Sequence, residues 1–364
     1  MDRLEKLASE LMSTVPTDVI DGKVPAAIYG VGFLGHWAIP ALSEVGITLS
    51  AAYDVNPARV GETVSGLPVR TADSIASDKP GFVFIGARHA VRSVRERLDL
   101  LGLASLSVDA FFAARQIAGF REFYDRLADD RSRAVLAAVL ETMLTGDRWH
   151  VEPVFERDQY FALPHFCGIE KEIYVDAGAY VGDSVERFIW THYGVFERVI
   201  AFEPGPRQFA ALKTRSQRLV TEWAVDDSQI ELIQAALGDF SGVACAGSQN
   251  AELTSLAVGS GSEKIRMIKL DDHLGGRRIT FLKADVEGME LLLLRGAADS
   301  IRKYRPKLAI CVYHYPTDIL ELSSYIESVA PTYQFALRHH SPQFLETVMY
   351  AWAAREEEQE VGPR

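Results

Sequence analysis

Residues 173–184, IYVDAGAYVGDS, place an acid, two glycines and a hydroxyl at the end of an apolar run. Ile173–Val175 has the texture of a strand and stops at Asp176. A turn with Gly178 and Gly182 follows, and a helical pattern starts at Ser184. Gly178 lets the backbone turn sharply and approach a ligand. The next apolar run, Arg198–Phe202, ends in Glu203-Pro204, where a carboxylate can accept hydrogen bonds from both hydroxyls of a ribose. Strand, glycine turn, helix and acidic strand end make the opening unit of a nucleotide-binding α/β sheet. The turn need not be a full pyrophosphate cradle, so the pattern reads as a site for S-adenosylmethionine, which carries no phosphate, rather than for a dinucleotide. The chemistry would be in-line displacement at an activated methyl. The protein must then align an acceptor oxygen and supply a base for its proton.

On this reading Asp176, Gly178 and Gly182, with Tyr180, Asp183 and Ser184 around them, line the amino-acid end of the cofactor. Glu203 holds the ribose, and backbone groups around Ala236 meet the adenine. Asp285 ends the fourth strand and faces the crevice at the strand ends. Its candidate roles are contact with the cofactor ammonium, acceptor binding, or base. Glu287 and Glu290 fall in the first turn of a helix expected over Val286–Leu294. There a carboxylate is favoured by the helix dipole alone, and Glu287 is equally a candidate for catalysis. Lys283 shares a strand face with Asp285 and is expected to pair with Glu287. His314 follows the strand Leu308–Val312 and, with a side chain that titrates near neutrality, is the first choice for the base. His339 and His340 follow a late strand, and either the cleft or the surface suits them. Asp285, His314 and a late histidine are groups that bind divalent ions, but the sequence fixes no ligand spacing and no metal is assigned.

The elements that position these groups run from about 171 to 353. Strands are expected at Ile173–Val175, Val199–Phe202, Ile230–Gln234, Thr280–Lys283, Leu308–Val312, Tyr333–Leu337 and Thr347–Ala351. A second βα pattern fills residues 22–112. Strand Ala26–Tyr29 leads into the turn Gly30-Val31-Gly32-Phe33-Leu34-Gly35, a helix follows over His36–Glu44, and strand Leu49–Tyr53 ends at Asp54. Gly30, Gly32 and Gly35 can bring N–H groups and a helix N-terminus to a pyrophosphate, Asp54 can take ribose hydroxyls, and Arg88 can add positive charge at the phosphate. The expectation is a crevice for a nucleotide-sugar or dinucleotide. Arg92, Arg95 and Arg97 read as a solvated helix face. Residues 1–21 hold an N-terminal helix, 113–170 a helical connector without chemistry of its own, and 354–364 an acidic, disordered tail. The fold class is α/β: two Rossmann-like three-layer domains joined by that connector.

With 364 residues, 48% apolar and 24% charged, two domains with substantial cores are expected. The net charge of −12 argues against nucleic acid as partner. Three cysteines without motif spacing, Cys167, Cys245 and Cys311, suit a reducing cytoplasm. The N-terminus lacks the features of a signal peptide, and no apolar run reaches the roughly 20 residues of a membrane helix.

The C-terminal half resembles FkbM-type S-adenosylmethionine-dependent methyltransferases, through VDAGAYVGDS (175–184), AFEPGP (201–206), KLDD (269–272), FLKADVEGMELLLLRGA (281–297) and LRHHS with ETVMYA (337–351). Ala284 stands where that family more often has a larger apolar residue. The resemblance implies a methyltransferase sheet and methyl transfer to a hydroxyl, commonly of a sugar or polyketide. The N-terminal half is similar to small Rossmann-like modules of polysaccharide-biosynthesis enzymes, through IYGVGFLG (28–35), YDVNP (53–57) and GLPV (66–69). Some of those modules hold a nucleotide-sugar. The expected activity is O-methylation of a sugar or glycan precursor, with a small-molecule or glycan acceptor and a possible homo-oligomer. Two rivals are an NAD-dependent oxidoreductase working through residues 22–112 and a non-catalytic nucleotide-binding protein. Against the oxidoreductase, no tyrosine–lysine or cysteine pair follows the N-terminal glycine turn.

Overall fold

The computed structural model describes residues 1–168, 171–246 and 263–353. The expected tail 354–364 and the side chain of Cys245 lie outside the described residues. Six strands form the N-terminal sheet: β1 (Ala26–Tyr29), β2 (Leu49–Asp54), β3 (Thr63–Val64), β4 (Leu67–Thr71), β5 (Val83–Ile85) and β6 (Ser105–Ser107). Their order is β3-β4-β2-β1-β5-β6, parallel except for the β3/β4 hairpin. The central strands β1 and β5 are short and wholly buried, as a parallel sheet covered by helices on both faces requires. The hairpin was not expected from the sequence; Ser65-Gly66, both at positive φ, turn it.

The C-terminal strands are β7 (Ile173–Ala177), β8 (Arg198–Phe202), β9 (Ile230–Ile233), β10 (Ala236–Gly238), β11 (Gly242–Ala246), β12 (Glu263–Lys269), β13 (Phe281–Ala284), β14 (Lys307–Cys311), β15 (Tyr333–His339) and β16 (Thr347–Ala353). Seven of them make one sheet in the order β15-β16-β14-β13-β7-β8-β9, with β16 antiparallel between its neighbours. The order reverses between β7 and β13, and at such a switch point the strand ends diverge and leave a crevice. β10, β12 and β11 form a separate three-stranded sheet that the sequence reading missed.

Helices Asp2–Ser13, Val108–Arg115, Ile117–Arg126 and Asp130–Thr145 share one core with the large sheet, which includes Leu4, Val135, Leu136, Leu140 and Leu337 and the edge-on pair Phe123 and Phe335. Arg338 locks this packing: its guanidinium donates to Asp129 Oδ2 at 3.0 Å and to Ser132 Oγ at 2.8 Å. Within the described residues, no helix is long and apolar enough to cross a membrane.

Candidate active site

The crevice at the switch point is lined by Gly178, Phe202, Glu203, Pro204, Ala235, Ala236, Leu237, Asp285, Val286, Glu287 and Met289. Gly178 has φ +76°, and a Cβ there would overlap the carbonyl oxygen of Asp285. Only glycine lets the β7 turn press against the end of β13. Glu203 is 4% exposed. Its Oε2 accepts the Tyr180 N–H at 2.9 Å and its Oε1 the Gly205 N–H at 2.7 Å. Burial pushes this carboxyl up to about 7, against the pull of those two N–H groups. Each oxygen keeps a lone pair for a further donor.

Several expected ligand contacts are structural supports. Asp176 is fully buried beneath the turn, 2.9 Å from the Lys283 ammonium, and accepts from Ser184 Oγ at 2.5 Å. Lys283 also donates to the Gly178 carbonyl at 2.7 Å. Lys283 therefore pairs with Asp176 and not with Glu287, because the parallel register sets it directly beside Asp176. Gly182 (φ +84°) caps the helix Asp183–Thr191, Asp183 is exposed on its first turn, and Tyr180 (φ +46°) is half-exposed. None of these four residues, Tyr180, Gly182, Asp183 and Ser184, lines the crevice.

The expected helix over Val286–Leu294 begins only at Glu290. Glu287 (φ +54°) and Gly288 (φ +88°) break it, and a Cβ at Gly288 would stand 2.5 Å from the Tyr315 hydroxyl. Glu287 is thus on a strained turn rather than in a helix cap, with a side chain 39% exposed at the crevice. Glu290 is buried and accepts the Val286 N–H at 2.9 Å. Asp285 accepts from Tyr160 at 2.8 Å and from Tyr313 at 3.3 Å. Tyr160 comes from the region read as chemically silent. It packs its ring on the Lys283 ammonium (5.0 Å), and its hydroxyl is desolvated and held far above its ordinary range.

His314 does sit beside these carboxylates, but it is 3% exposed. Its Nδ1 is 3.3 Å from Glu290, and its Nε2 is 3.6 Å from Glu287 and 3.7 Å from Asp285. Burial alone would lower its pKa, but the attraction of Glu290, Glu287 and Asp285 outweighs that and raises it well above the usual histidine value. The ring thus lies enclosed among three carboxylates rather than open to the crevice. The late histidines are elsewhere and internally bonded. His339 meets Thr347 Oγ1 and the Gln343 carbonyl, both at 2.8 Å, and His340 meets the Glu156 carbonyl and the Tyr350 hydroxyl, both at 3.0 Å.

These features match known proteins. Residues 176–348 fit the family model described as the methyltransferase FkbM domain. The crystal structure of methyltransferase FkbM from Methylobacillus flagellatus KT aligns with 96% of this chain and 98% of its own, at 28% identity and a TM-score of 0.61. Residues 176–348 are a methyltransferase FkbM domain. An rRNA methylase from Streptococcus thermophilus aligns at 14% identity over 51% of this chain and 88% of that one (TM-score 0.32). UDP-D-quinovosamine 4-dehydrogenase from Vibrio fischeri aligns at 17% identity over 23% and 76% (TM-score 0.21). Neither of these two likenesses bears on function. No curated protein matches the chain.

The N-terminal turn is built like the one in the FkbM domain but faces something else. Gly30 has φ +91°, a Cβ on Gly35 would overlap the Gly30 carbonyl oxygen, and Gly32 has open space around it. Asp54 accepts the Val31 N–H at 2.9 Å and the Asn56 N–H at 2.8 Å. Arg88, expected at a phosphate, instead grips Asp109 at 2.9 and 2.7 Å and donates to the Tyr313 carbonyl at 2.6 Å. A buried partner carboxylate outcompetes an open loop for its guanidinium. Phe33 and Trp37, just past the turn, stack on Tyr315 with centroids 5.2 and 5.1 Å apart. Arg95 is not wholly solvated either, since it donates to the Thr145 carbonyl at 3.3 Å.

Proposed function

We propose that the FkbM domain transfers a methyl group from S-adenosylmethionine to a hydroxyl of a sugar or glycan precursor. The observation that carries this reading is the crevice that Gly178, Glu203, Asp285 and Glu287 line together. The residues fit the cofactor. Glu203 offers two accepting oxygens to a ribose diol, Gly178 leaves no side chain in the way, and Ala235–Leu237 form an apolar wall for an adenine. When bound, the cofactor would supply an activated methyl carbon on a sulfonium, with the neutral thioether as its leaving group.

The chain's own residues do the rest. The buried Asp176–Lys283 pair fixes the height of the glycine turn. Asp285, oriented by Tyr160 and Tyr313, accepts from the acceptor's hydroxyls and sets its angle of approach. Glu287, half-exposed and adjacent, takes the proton of the reacting hydroxyl. A rim of carboxylates suits a polyhydroxylated acceptor, which brings donors in pairs. The N-terminal module holds the loop Tyr313–Tyr315 in place through Arg88, Phe33 and Trp37.

The test is calorimetric titration with S-adenosylhomocysteine, beside Glu203→Ala, followed by transfer of labelled methyl to sugar acceptors. Micromolar binding lost in the variant, and label in an ether on the acceptor, are expected. A folded chain that binds no S-adenosylhomocysteine would overturn the reading.

A further inference from the structure

We propose that Asp285, Glu290 and His314 bind one divalent cation of the Mn2+ type at the acceptor side of the crevice. The site is inferred from its geometry alone, and only its catalytic use rests on the methyltransferase reading above.

The first observation is His314 itself. It is 3% exposed, and neither ring nitrogen makes a hydrogen bond. A buried polar group is almost always satisfied, so an imidazole with two bare nitrogens demands an explanation. Its nearest oxygens stand at 3.3, 3.6 and 3.7 Å, the latter two beyond a good hydrogen bond. Nδ1 faces Glu290, and Nε2 faces Glu287 and Asp285.

The second observation is the spacing. One atom from each of Asp285, Glu290 and His314 falls within 4.8 Å of the other two. A Mg2+ or Mn2+ ion with bonds of about 2.1 Å sets neighbouring ligand atoms about 3 Å apart and opposite ones about 4.2 Å apart, so small side-chain adjustments close the site. Two carboxylates suit a hard ion and the imidazole a borderline one, and Mn2+ accepts both where Mg2+ takes oxygen ligands. Asp285 already carries the outer contacts that orient a metal ligand, the hydroxyls of Tyr160 and Tyr313.

The third is charge. Asp285, Glu287 and Glu290 bring three negative charges to one ring, which can offset only one of them. Glu346 adds another carboxylate within 4.8 Å of Asp285. A divalent ion removes the imbalance. It would also bind the acceptor's oxygen and make its proton easier for Glu287 to take.

The experiment uses the full-length chain after treatment with chelator, titrated with Mn2+ by calorimetry and by electron paramagnetic resonance. One Mn2+ per chain is expected, bound at least about tenfold more weakly by Glu290→Gln and by His314→Asn. Thermal melting checks that each variant folds, and the isosteric Glu290→Gln carries the test alone if His314→Asn does not. S-adenosylhomocysteine is titrated in parallel. A folded chain that takes up no stoichiometric Mn2+ at millimolar concentration overturns the proposal, as does unchanged Mn2+ affinity in both variants. Mn2+ uptake that the variants weaken, in a chain that ignores S-adenosylhomocysteine, upholds the cation site and sinks the cofactor reading instead.

Discussion

The chain contains the same device twice, and the two copies have different fates. At Gly178 and at Gly30 a buried strand ends in a glycine turn, and a carboxylate from the next strand end, Glu203 or Asp54, reaches across to a loop N–H. Each carboxylate also caps a second N–H two residues beyond itself. What stands opposite the turn makes the difference. The end of β13 supplies Asp285 and Glu287 to an open crevice. The end of β5 supplies Arg88, which turns away to Asp109 and to the Tyr313 carbonyl of the other half. A glycine turn is therefore a way of bringing backbone close to something. Whether that something is a ligand or another part of the same chain depends on the neighbouring strand end.

The largest effect expected from breaking the comparison is at the glycines. Gly178→Ala sets a Cβ into the Asp285 carbonyl oxygen at φ +76° and should cost about 4 kcal/mol or leave the chain unfolded. Gly32→Ala meets open space at negative φ and should shift stability by no more than about 0.5 kcal/mol. Thermal melting separates the two. Next are the carboxylates. Glu203→Ala should weaken S-adenosylhomocysteine about 100-fold, roughly 3 kcal/mol for two hydroxyl bonds to a charged acceptor. Asp54→Ala should leave that affinity within about twofold, because its oxygens serve only the N-terminal loop in this reading. Equal losses in both would mean the two turns are coupled and the contrast is false.

Arg88 comes third. Its side chain is 17% exposed and that of Asp109 4%. Arg88→Ala strands a buried carboxylate and frees the Tyr313 carbonyl, and partial access of water should hold the cost to about 2 kcal/mol. The double variant Arg88→Ala/Asp109→Ala should recover part of it, because no unpaired charge is then left behind. A recovery seen in melting, without change in S-adenosylhomocysteine affinity, marks Arg88 as a joint between the halves. A loss of nucleotide binding by the module instead would restore the phosphate role that the sequence suggests.

How much of this could be read beforehand follows a physical line. β1, β2, β7, β8 and β13 are largely buried runs that end at glycine or an acid, β14 is an apolar run after a proline, and a local pattern suffices to find them. The glycine turns and Glu203 were legible for the same reason, since each is a contiguous strand–turn–helix signal. Tyr160 was not: it reaches Asp285 across 125 positions of sequence from an irregular aromatic stretch. The pairing of Lys283 with Asp176 depends on parallel register, which no local pattern encodes. The helix start at Glu290 was misplaced because Glu287 takes a left-handed conformation held by Gly288 and Tyr315 packing. The three carboxylate neighbours of His314 could not be read either, because they converge only in the fold.

The smallest effect is one of pH, and it singles out Glu203. Its carboxyl is pushed up to about 7 in the ligand-free chain by burial. A group whose pKa rises on folding favours the protonated folded state, so for a carboxyl near 4.5 when unfolded, stability from this residue is present at acid pH and is lost as pH rises toward 7. A ribose diol, which needs an ionised acceptor, has the opposite preference. S-adenosylhomocysteine affinity should therefore fall on acidification below about pH 7, by at most about tenfold per pH unit, with one proton released on binding. Asp318 confuses the stability measurement, because burial and the charge of Glu290 raise it to about 7 as well. It does not line the crevice, so binding is the cleaner readout. Glu203→Gln removes the titrating group while keeping its shape. Weaker binding that no longer varies between pH 5.5 and 8 would assign the slope to Glu203; an unchanged slope would remove it from Glu203 and weaken the assignment of the ribose.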